Sequence, residues 1–240
     1  MIKKKLLIIV PARGGSTGLK NKNILLVNKK PLIYYSIKAA LEVNEKNSIK
    51  ICSTDSLKIK KIAKKYKIDT PFLRPKNISK KFSLDIDFVN HALKYFAKKN
   101  IYFKYGLILR PTSPARNKKV LNKAYNLFKK NSFVDSMRAI TIAPSTPYKM
   151  WIQKKKLIRP LIKTRLKEQY NLPRQKLPNT YWQTGNFEFF QIRNKDYIKS
   201  ISGKKIMGFK IKFPYILDID TIEDLEKFKL LLKNQINFIK

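Results

Sequence analysis

Leu6-Leu7-Ile8-Ile9-Val10-Pro11-Ala12-Arg13-Gly14-Gly15-Ser16-Thr17-Gly18-Leu19-Lys20-Asn21-Lys22-Asn23 is the stretch from which the rest of the chain is read. Residues 6–11 form a continuous apolar run of strand length, the pattern of a strand covered on both faces. Lys3-Lys4-Lys5 ahead of it imitates the start of a signal peptide. The apolar stretch that follows is shorter than the roughly 7–15 residues of a signal core, and Pro11 and Arg13 end it. The loop after the strand holds three of the seven glycines of the chain, at positions 14, 15 and 18. Glycines let a backbone turn its amides toward an anion without a clashing side chain. Arg13 and Lys22 add positive charge at either end, so the loop suits a nucleoside triphosphate. It is neither the G-x-x-x-x-G-K-[ST] phosphate loop nor G-x-G-x-x-G. Taken alone, a plain strand-to-helix turn with incidental basic residues is the alternative.

Outward from this stretch, strands and helices alternate. Residues 31–43 read as an amphipathic helix, 49–53 as a short strand and 55–66 as a helix with an acidic start. Residues 70–73 read as a short extended segment, and 85–99 as a helix whose first turn carries Asp85 and Asp87. Residues 105–109 follow as a buried strand, 117–130 as a helix and 134–141 as a strand. Such alternation predicts an α/β fold with a mainly parallel sheet and helices on both faces. Ligands in that architecture bind beyond the carboxyl ends of the strands, so the informative loops follow residues 11 and 109. Residues 150–181 break the rhythm, being rich in Lys, Arg, Pro and Tyr with little periodicity, and read as an inserted segment within a single domain. Residues 187–192 and 205–213 read as strands and 221–233 as a closing helix, with Thr221 and Asp224 as its start signature.

With 240 residues and 43% hydrophobic content, the chain is long enough for a real core and too apolar to be a disordered basic tail. No apolar run approaches the ~18 residues of a membrane span, so no membrane insertion is expected. The single cysteine, Cys52, excludes an internal disulfide and a Cys-rich metal site, which fits a reduced cytoplasm. The net charge of +39 comes from 54 basic residues, of which nine are arginines. Nucleic-acid binders cluster their basic groups and lean on arginine. Here lysines are scattered along the chain among Asn and Ile, a composition that an A/T-rich genome favours. No specific nucleic acid is expected, although the charge suits a polyphosphate substrate.

The loop residues Ala12, Arg13, Ser16, Lys22 and Asn23 resemble the A-R-x-x-S-K-x-x-x-x-K-N signature of the acylneuraminate cytidylyltransferases, the CMP-sialic acid synthetases and their legionaminic and pseudaminic acid relatives. Ser53-Thr54-Asp55 is similar to the S-T-D of that family, and residues 109–114 (LRPTSP) to its L-Q-P-T-S-P. Asp218-Ile219-Asp220-Thr221 with Glu223-Asp224-Leu225 is similar to its D-I-D-T-x-E-D-L ending. The resemblance implies a Rossmann-like, GT-A-like nucleotidyltransferase fold whose inserted segment builds a homodimer. It implies that CTP activates a nonulosonic (sialic-type) sugar acid, giving the CMP-sugar and pyrophosphate. Ala12, Arg13, Gly14, Gly15, Ser16, Lys22 and Asn23 would then hold the triphosphate, with Arg74 and Ser83 in the nucleoside region. Thr17 stands where the family usually has a phosphate-contacting lysine, so Arg13 and Lys22 carry that duty. The cytidylyltransferases for KDO, a related sugar acid, have a threonine and a downstream lysine in this loop, which keeps KDO as the alternative substrate.

Asp218 and Asp220 are two of only fifteen acids. At i and i+2 on an extended segment they point the same way, and two such carboxylates suit Mg²⁺. Neutralisation of local lysines, or capping of the following helix, is the structural alternative. Asp220 is also a candidate to deprotonate the attacking hydroxyl. Arg110, where the family has glutamine, offers a planar fork for the carboxylate of a 2-keto sugar acid, and Thr112 and Ser113 offer hydrogen bonds. Thr184 and Gly185 fall in a segment similar to the Y-x-x-N-G that lines the family's sugar site. His91, the only histidine, has no second histidine with which to form a ligand set. A protein that binds nucleotide without turnover is the competing expectation from outside enzymology.

Overall fold

Leu6, Leu7, Ile8, Ile9 and Val10 are fully buried, and they divide between two cores by parity. In a computed structural model, which describes residues 1–15 and 19–233, they belong to strand β1 (Ile2–Pro11). Expectations resting on Ser16 and Thr17 lie outside the described residues. The other elements follow in order: β2 (Leu26–Val27), β3 (Lys30–Pro31), α1 (Leu32–Leu41), β4 (Ser48–Ser53), α2 (Leu57–Lys65), α3 (Asp85–Ala97), β5 (Ile101–Ile108), α4 (Lys118–Lys130), β6 (Ser136–Ile142), β7 (Trp151–Lys154), β8 (Leu157–Pro160), β9 (Tyr181–Gln191), β10 (Ile206–Lys210) and α5 (Ile222–Lys233).

Successive strand side chains point to opposite faces. Leu6, Ile8 and Val10 therefore pack with Ile33 and Ile37 of α1, Ile59 of α2 and Leu121, Tyr125 and Phe128 of α4. Leu7 and Ile9 pack with Phe88, Val89 and Leu93 of α3 on the other side. A strand with helices on both faces needs no polar side, which is why its sequence is uninterrupted. The main sheet runs β10-β6-β9-β5-β1-β4. β1 pairs in parallel with both β4 and β5, while β5 pairs antiparallel with β9. The expected α/β sandwich with a mainly parallel, mixed sheet is the observed one, and β1, β4 and β5 deliver their carboxyl ends to one rim.

Helix starts follow local chemistry. Ser56 Oγ accepts from Ile59 N at 3.4 Å and Asn117 Oδ1 from Val120 N at 3.1 Å. At α5, Thr221 Oγ1 accepts from Asp224 N at 3.2 Å while Asp224 Oδ2 accepts from Thr221 N at 3.1 Å. Each satisfies backbone donors that a helix leaves open at its first turn.

Strand ends differ from the reading of the sequence: β1 begins at Ile2 and β5 at Ile101, each four residues ahead of the run read as a strand, and β10 stops at Lys210. Residues 70–73, read as a short extended segment, join no ladder among the described residues; the parallel bridge of Ile51 to Asp69 stands just before them, and Arg74 N donates to Thr54 O at 2.7 Å just after. Pro71 and Pro75 lack the amide a ladder needs. β9 begins at Tyr181 instead of residue 187, because its first residues are polar or exposed and carry no burial signal.

The described chain divides into two compact units, residues 1–139 with 184–240 and residues 140–183. The second contains the antiparallel hairpin β7–β8, turning at Lys155 with φ 55°, followed by single 3₁₀ turns. Gln169 is its buried polar centre, bonded to Thr164 and to the carbonyl of Ile162, and the rings of Trp151 and Tyr170 meet at 4.5 Å.

Gly106 of β5 lies opposite Phe190 of β9, and a Cβ added there would sit 2.1 Å from the Phe190 ring. Gly106→Ala is expected to cost about 1–3 kcal/mol, as overpacking does. Urea denaturation checks this, and Phe190→Leu in the same chain should recover part of the loss.

Candidate active site

Beyond the rim made by β1, β4 and β5 opens a cleft of about 470 Å³. Of the sequence-derived candidates, it gathers Arg13, Lys22, Asn23, Arg74, Ser83, Arg110, Thr112 and Asp220. Six cations line it, Arg13, Lys22, Arg74, Lys80, Lys81 and Arg110, against two carboxylates, Asp85 and Asp220.

The loop after β1 is tied down from below. Ala12 N donates to Ser53 O at 2.9 Å, Gly14 N to Asp55 Oδ1 at 2.8 Å and Asn23 Nδ2 to the carbonyl of Arg13 at 3.0 Å. Asn23 thus acts on the loop through its side chain, and Gly14 lies so close to Ser56 that a Cβ would meet it at 3.1 Å. Among the described residues nothing lies within 4 Å of where a Cβ on Gly15 would sit. Lys22 Nζ reaches across to Asp220 Oδ1 at 2.8 Å and to the carbonyl of Ile219 at 2.9 Å.

Arg74 is buried, donates to the carbonyl of Ser53 and packs over the Phe88 ring at 5.3 Å, while its Nε has no partner among the described residues. Burial holds its pKa below the ordinary arginine value, against the pull of Asp55. Ser83 Oγ accepts from Lys80 N at 2.9 Å and shapes the opposite edge. His91 stacks edge-on against Phe72 at 4.5 Å; burial and then Arg74 lower its pKa, so it is a packed, neutral ring.

Arg110 is doubly engaged, with Nη1 on Glu188 and Nη2 on Asp85, and Glu188 also forms an ion pair with Arg138 at 3.1 Å. Burial alone would lower its pKa, but the Glu188 and Asp85 carboxylates outweigh this and hold it above the usual arginine value. Its fork is therefore met by carboxylates of the protein itself.

Seven described candidates lie away from the cleft lining: Ala12, Gly14 and Gly15 in the loop after β1, and Ser113, Thr184, Gly185 and Asp218. Ser113 is buried and donates to Asp218 Oδ1 at 3.2 Å. Gly185 stands against this pair, since a Cβ there would meet Ser113 Oγ at 2.5 Å and Asp218 Oδ2 at 3.2 Å. Thr184 is committed to the interior, donating to the carbonyl of Ala139 at 3.2 Å.

Asp218 and Asp220 are exposed on either side of buried Ile219, whose amide donates to the carbonyl of Thr112 at 2.7 Å. That bond fixes the acidic segment to the loop after β5. Asp218 and Asp220 are hard oxygen donors of the kind Mg²⁺ takes alongside waters and substrate phosphates; no group of three or more His, Cys, Asp or Glu that could hold a metal ion is found among the described residues.

The sequence did not point to Arg116, a 1% exposed guanidinium. Its Nε donates to Asn186 O at 2.6 Å, Nη1 to Ser36 Oγ at 2.8 Å and Nη2 to Arg110 O at 2.8 Å. Burial brings its pKa down to about 9, with the Asp218 charge opposing. Nor did it point to Asp85, read only as a helix-start acid, or to Glu188. The one available signal for Glu188 was a lone acid within the aromatic run 187–190.

The chain matches the family model described as cytidylyltransferase over residues 7–239. It is similar to the pseudaminic acid cytidylyltransferase of Campylobacter jejuni subsp. jejuni serotype O:2, with 30% identity over 95% of this chain and 97% of that one. It is also similar to the CMP-N,N'-diacetyllegionaminic acid synthase of Legionella pneumophila subsp. pneumophila, 34% identical over 59% of this chain and 61% of that one. Among solved structures, CMP:2-keto-3-deoxy-manno-octonic acid synthetase complexed with CTP shares the fold, with a TM-score of 0.69 at 14% identity over 97% of this chain and 100% of that one.

Arg116→Met is expected to lower stability by at least ~2 kcal/mol, because buried acceptors left unpaired cost about 1–3 kcal/mol each. Denaturant unfolding checks this; a change below ~0.5 kcal/mol, the range of a surface substitution, would mean that the network carries no weight.

Proposed function

The chain belongs to the cytidylyltransferase family, and on that premise we propose that it uses CTP to activate a nonulosonic sugar acid, releasing pyrophosphate and forming the CMP-sugar. The observation that carries this reading is the cation-lined cleft at the carboxyl ends of parallel strands, with Lys22 and Asp220 facing each other inside it.

Arg13 and Lys22 hold the triphosphate, Arg74 and Ser83 border the nucleoside, and Arg110 with Thr112 border the sugar. The anomeric hydroxyl forms a bond to the α-phosphorus as the bond from that phosphorus to the bridging oxygen breaks. The electron pair leaves with pyrophosphate, and the hydroxyl proton passes to Asp220. Fixed cations beside the departing phosphates stabilise the developing charge at no cost in reorganisation. Asp218 and Asp220 would hold Mg²⁺, which when bound draws charge from the α- and outer phosphates. Ser113, kept against Asp218 by the small Gly185, orients that carboxylate.

The proposed assembly is a homodimer of single cytidylyltransferase domains, working in the reduced cytoplasm. Its support is the segment around residues 150–181, where Trp151, Leu157, Ile158, Leu161 and Leu166 are exposed. Aromatic and aliphatic groups presented this way favour an interface. Within the described residues no helix is long and apolar enough to cross a membrane.

Pyrophosphate release with CTP and a panel of pseudaminic, legionaminic, sialic and KDO acids tests the reaction. Turnover with one of the first three is expected, and turnover with KDO alone would reassign the substrate. Asp218→Asn and Asp220→Asn should each abolish Mg²⁺-dependent turnover; full activity in both would remove the metal site. Sedimentation at micromolar concentration should show a dimer, and a fully active monomer would contradict the proposed role of the inserted segment.

A further inference from the structure

The two carboxylates that line the cleft are both already paired with cleft cations, and the Lys22–Asp220 pair has a consequence for the order of binding. Lys22 Nζ stands 2.8 Å from Asp220 Oδ1, and the Lys22 side chain is 13% exposed against 74% for Asp220. The ammonium is the enclosed partner and the carboxylate the open one. Its second acceptor, the carbonyl of Ile219 at 2.9 Å, holds it on the backbone between Asp218 and Asp220. Two oxygens at this range are what a small hard cation would take up. Asp218, by contrast, is engaged by the neutral hydroxyl of Ser113, and Asp224 uses its Oδ2 on the Asp220 and Thr221 amides. Asp220 is therefore the one carboxylate of the proposed metal pair that a cation of the protein occupies.

We propose that Lys22 is a placeholder for the divalent ion at Asp220, holding that carboxylate in the free protein and surrendering it when a triphosphate enters the cleft. The inference rests on the metal reading of Asp218 and Asp220 above. An ammonium has three donors, and Asp220 and Ile219 take two of them. A phosphate can engage the third and draw the group across before the pair is broken. A dication on the same carboxylate would otherwise lie in like-charge contact with Lys22. Metal and nucleotide consequently bind with positive coupling: each removes what hinders the other. Metal alone binds the free protein weakly, and the carboxylate stays aimed until nucleotide arrives. Lys22 is in this respect a positioning residue as well as a phosphate ligand.

The test uses Mn²⁺ as a spin probe, titrated by electron paramagnetic resonance into the nucleotide-free full-length protein. Lys22→Met, which keeps the aliphatic stem, should tighten Mn²⁺ binding by about tenfold, inside the five- to 150-fold span typical of coupled sites. Lys20→Met, which removes an equal charge from an exposed neighbour, should change it by less than about twofold, as expected of a screened surface charge. Asp220→Asn should abolish the gain in the Lys22→Met background. Lys22→Gln, with its fold checked by circular dichroism, repeats the experiment should the methionine variant fail to fold. Equal Asp220-dependent affinity in wild type and both Lys22 variants would overturn the placeholder role while leaving the metal site standing. An equal gain in Lys20→Met would overturn it in favour of bulk charge. No Asp220-dependent Mn²⁺ binding in any variant would overturn both the placeholder and the metal reading.

Discussion

Arg116 donates from the closed interior to oxygens of three separate parts of the chain: Asn186 on β9, Ser36 on α1 and Arg110 in the loop after β5. A buried guanidinium is costly unless its donors are met, and here the acceptors are neutral, so the tie is maintained by hydrogen bonding with no ion-pair contact. The carbonyl of Arg110 receives a second bond from Ser36 Oγ at 3.0 Å, which fixes the main chain where the cleft wall begins. Two residues on, the carbonyl of Thr112 receives the Ile219 amide and so locates Asp218 and Asp220. Asn186 completes the arrangement by donating to the carbonyls of Ala115 and Tyr215, at 2.8 and 2.7 Å. Sheet, helix, loop and acidic segment are thus held in one hydrogen-bonded frame, and the proposed chemistry requires that frame to be stiff.

Charge in the cleft obeys a different logic from charge on the surface. A net charge of +39 spread over scattered lysines creates a field that salt screens beyond about 8 Å. The cleft cations act at contact distance from groups held in place. Lys22 is paired with Asp220, and Arg110 with both Asp85 and Glu188. Such internal pairing keeps a concentration of like charge compatible with folding.

How much of this was legible follows from whether the cause is local. The apolar run of β1 depends on neighbouring residues alone, so its sequence reading carries over to the structure. Thr221 and Asp224 likewise cap α5 through bonds across three positions. The stretch at 70–73, read as extended, joins no ladder among the described residues, where Pro71 supplies no amide. Arg116 and Glu188 were illegible as buried groups: both are charged types usually found in solvent, and only partners 70 to 80 positions away reveal why they are inside. Lys80 and Lys81 were hidden for the opposite reason, since nothing local separates two cleft lysines from the many on the surface.

The central claim is that triphosphate and divalent ion meet between Lys22 and Asp220, at the carboxyl end of β1. A crystal structure of the protein with CTP and Mg²⁺ tests it most directly. Lys22 Nζ is expected on a phosphate oxygen and beyond hydrogen-bond reach of Asp220, whose carboxylate would then be open to hold the metal. A triphosphate bound elsewhere, with Lys22 still 2.8 Å from Asp220 as in the free protein, would contradict it.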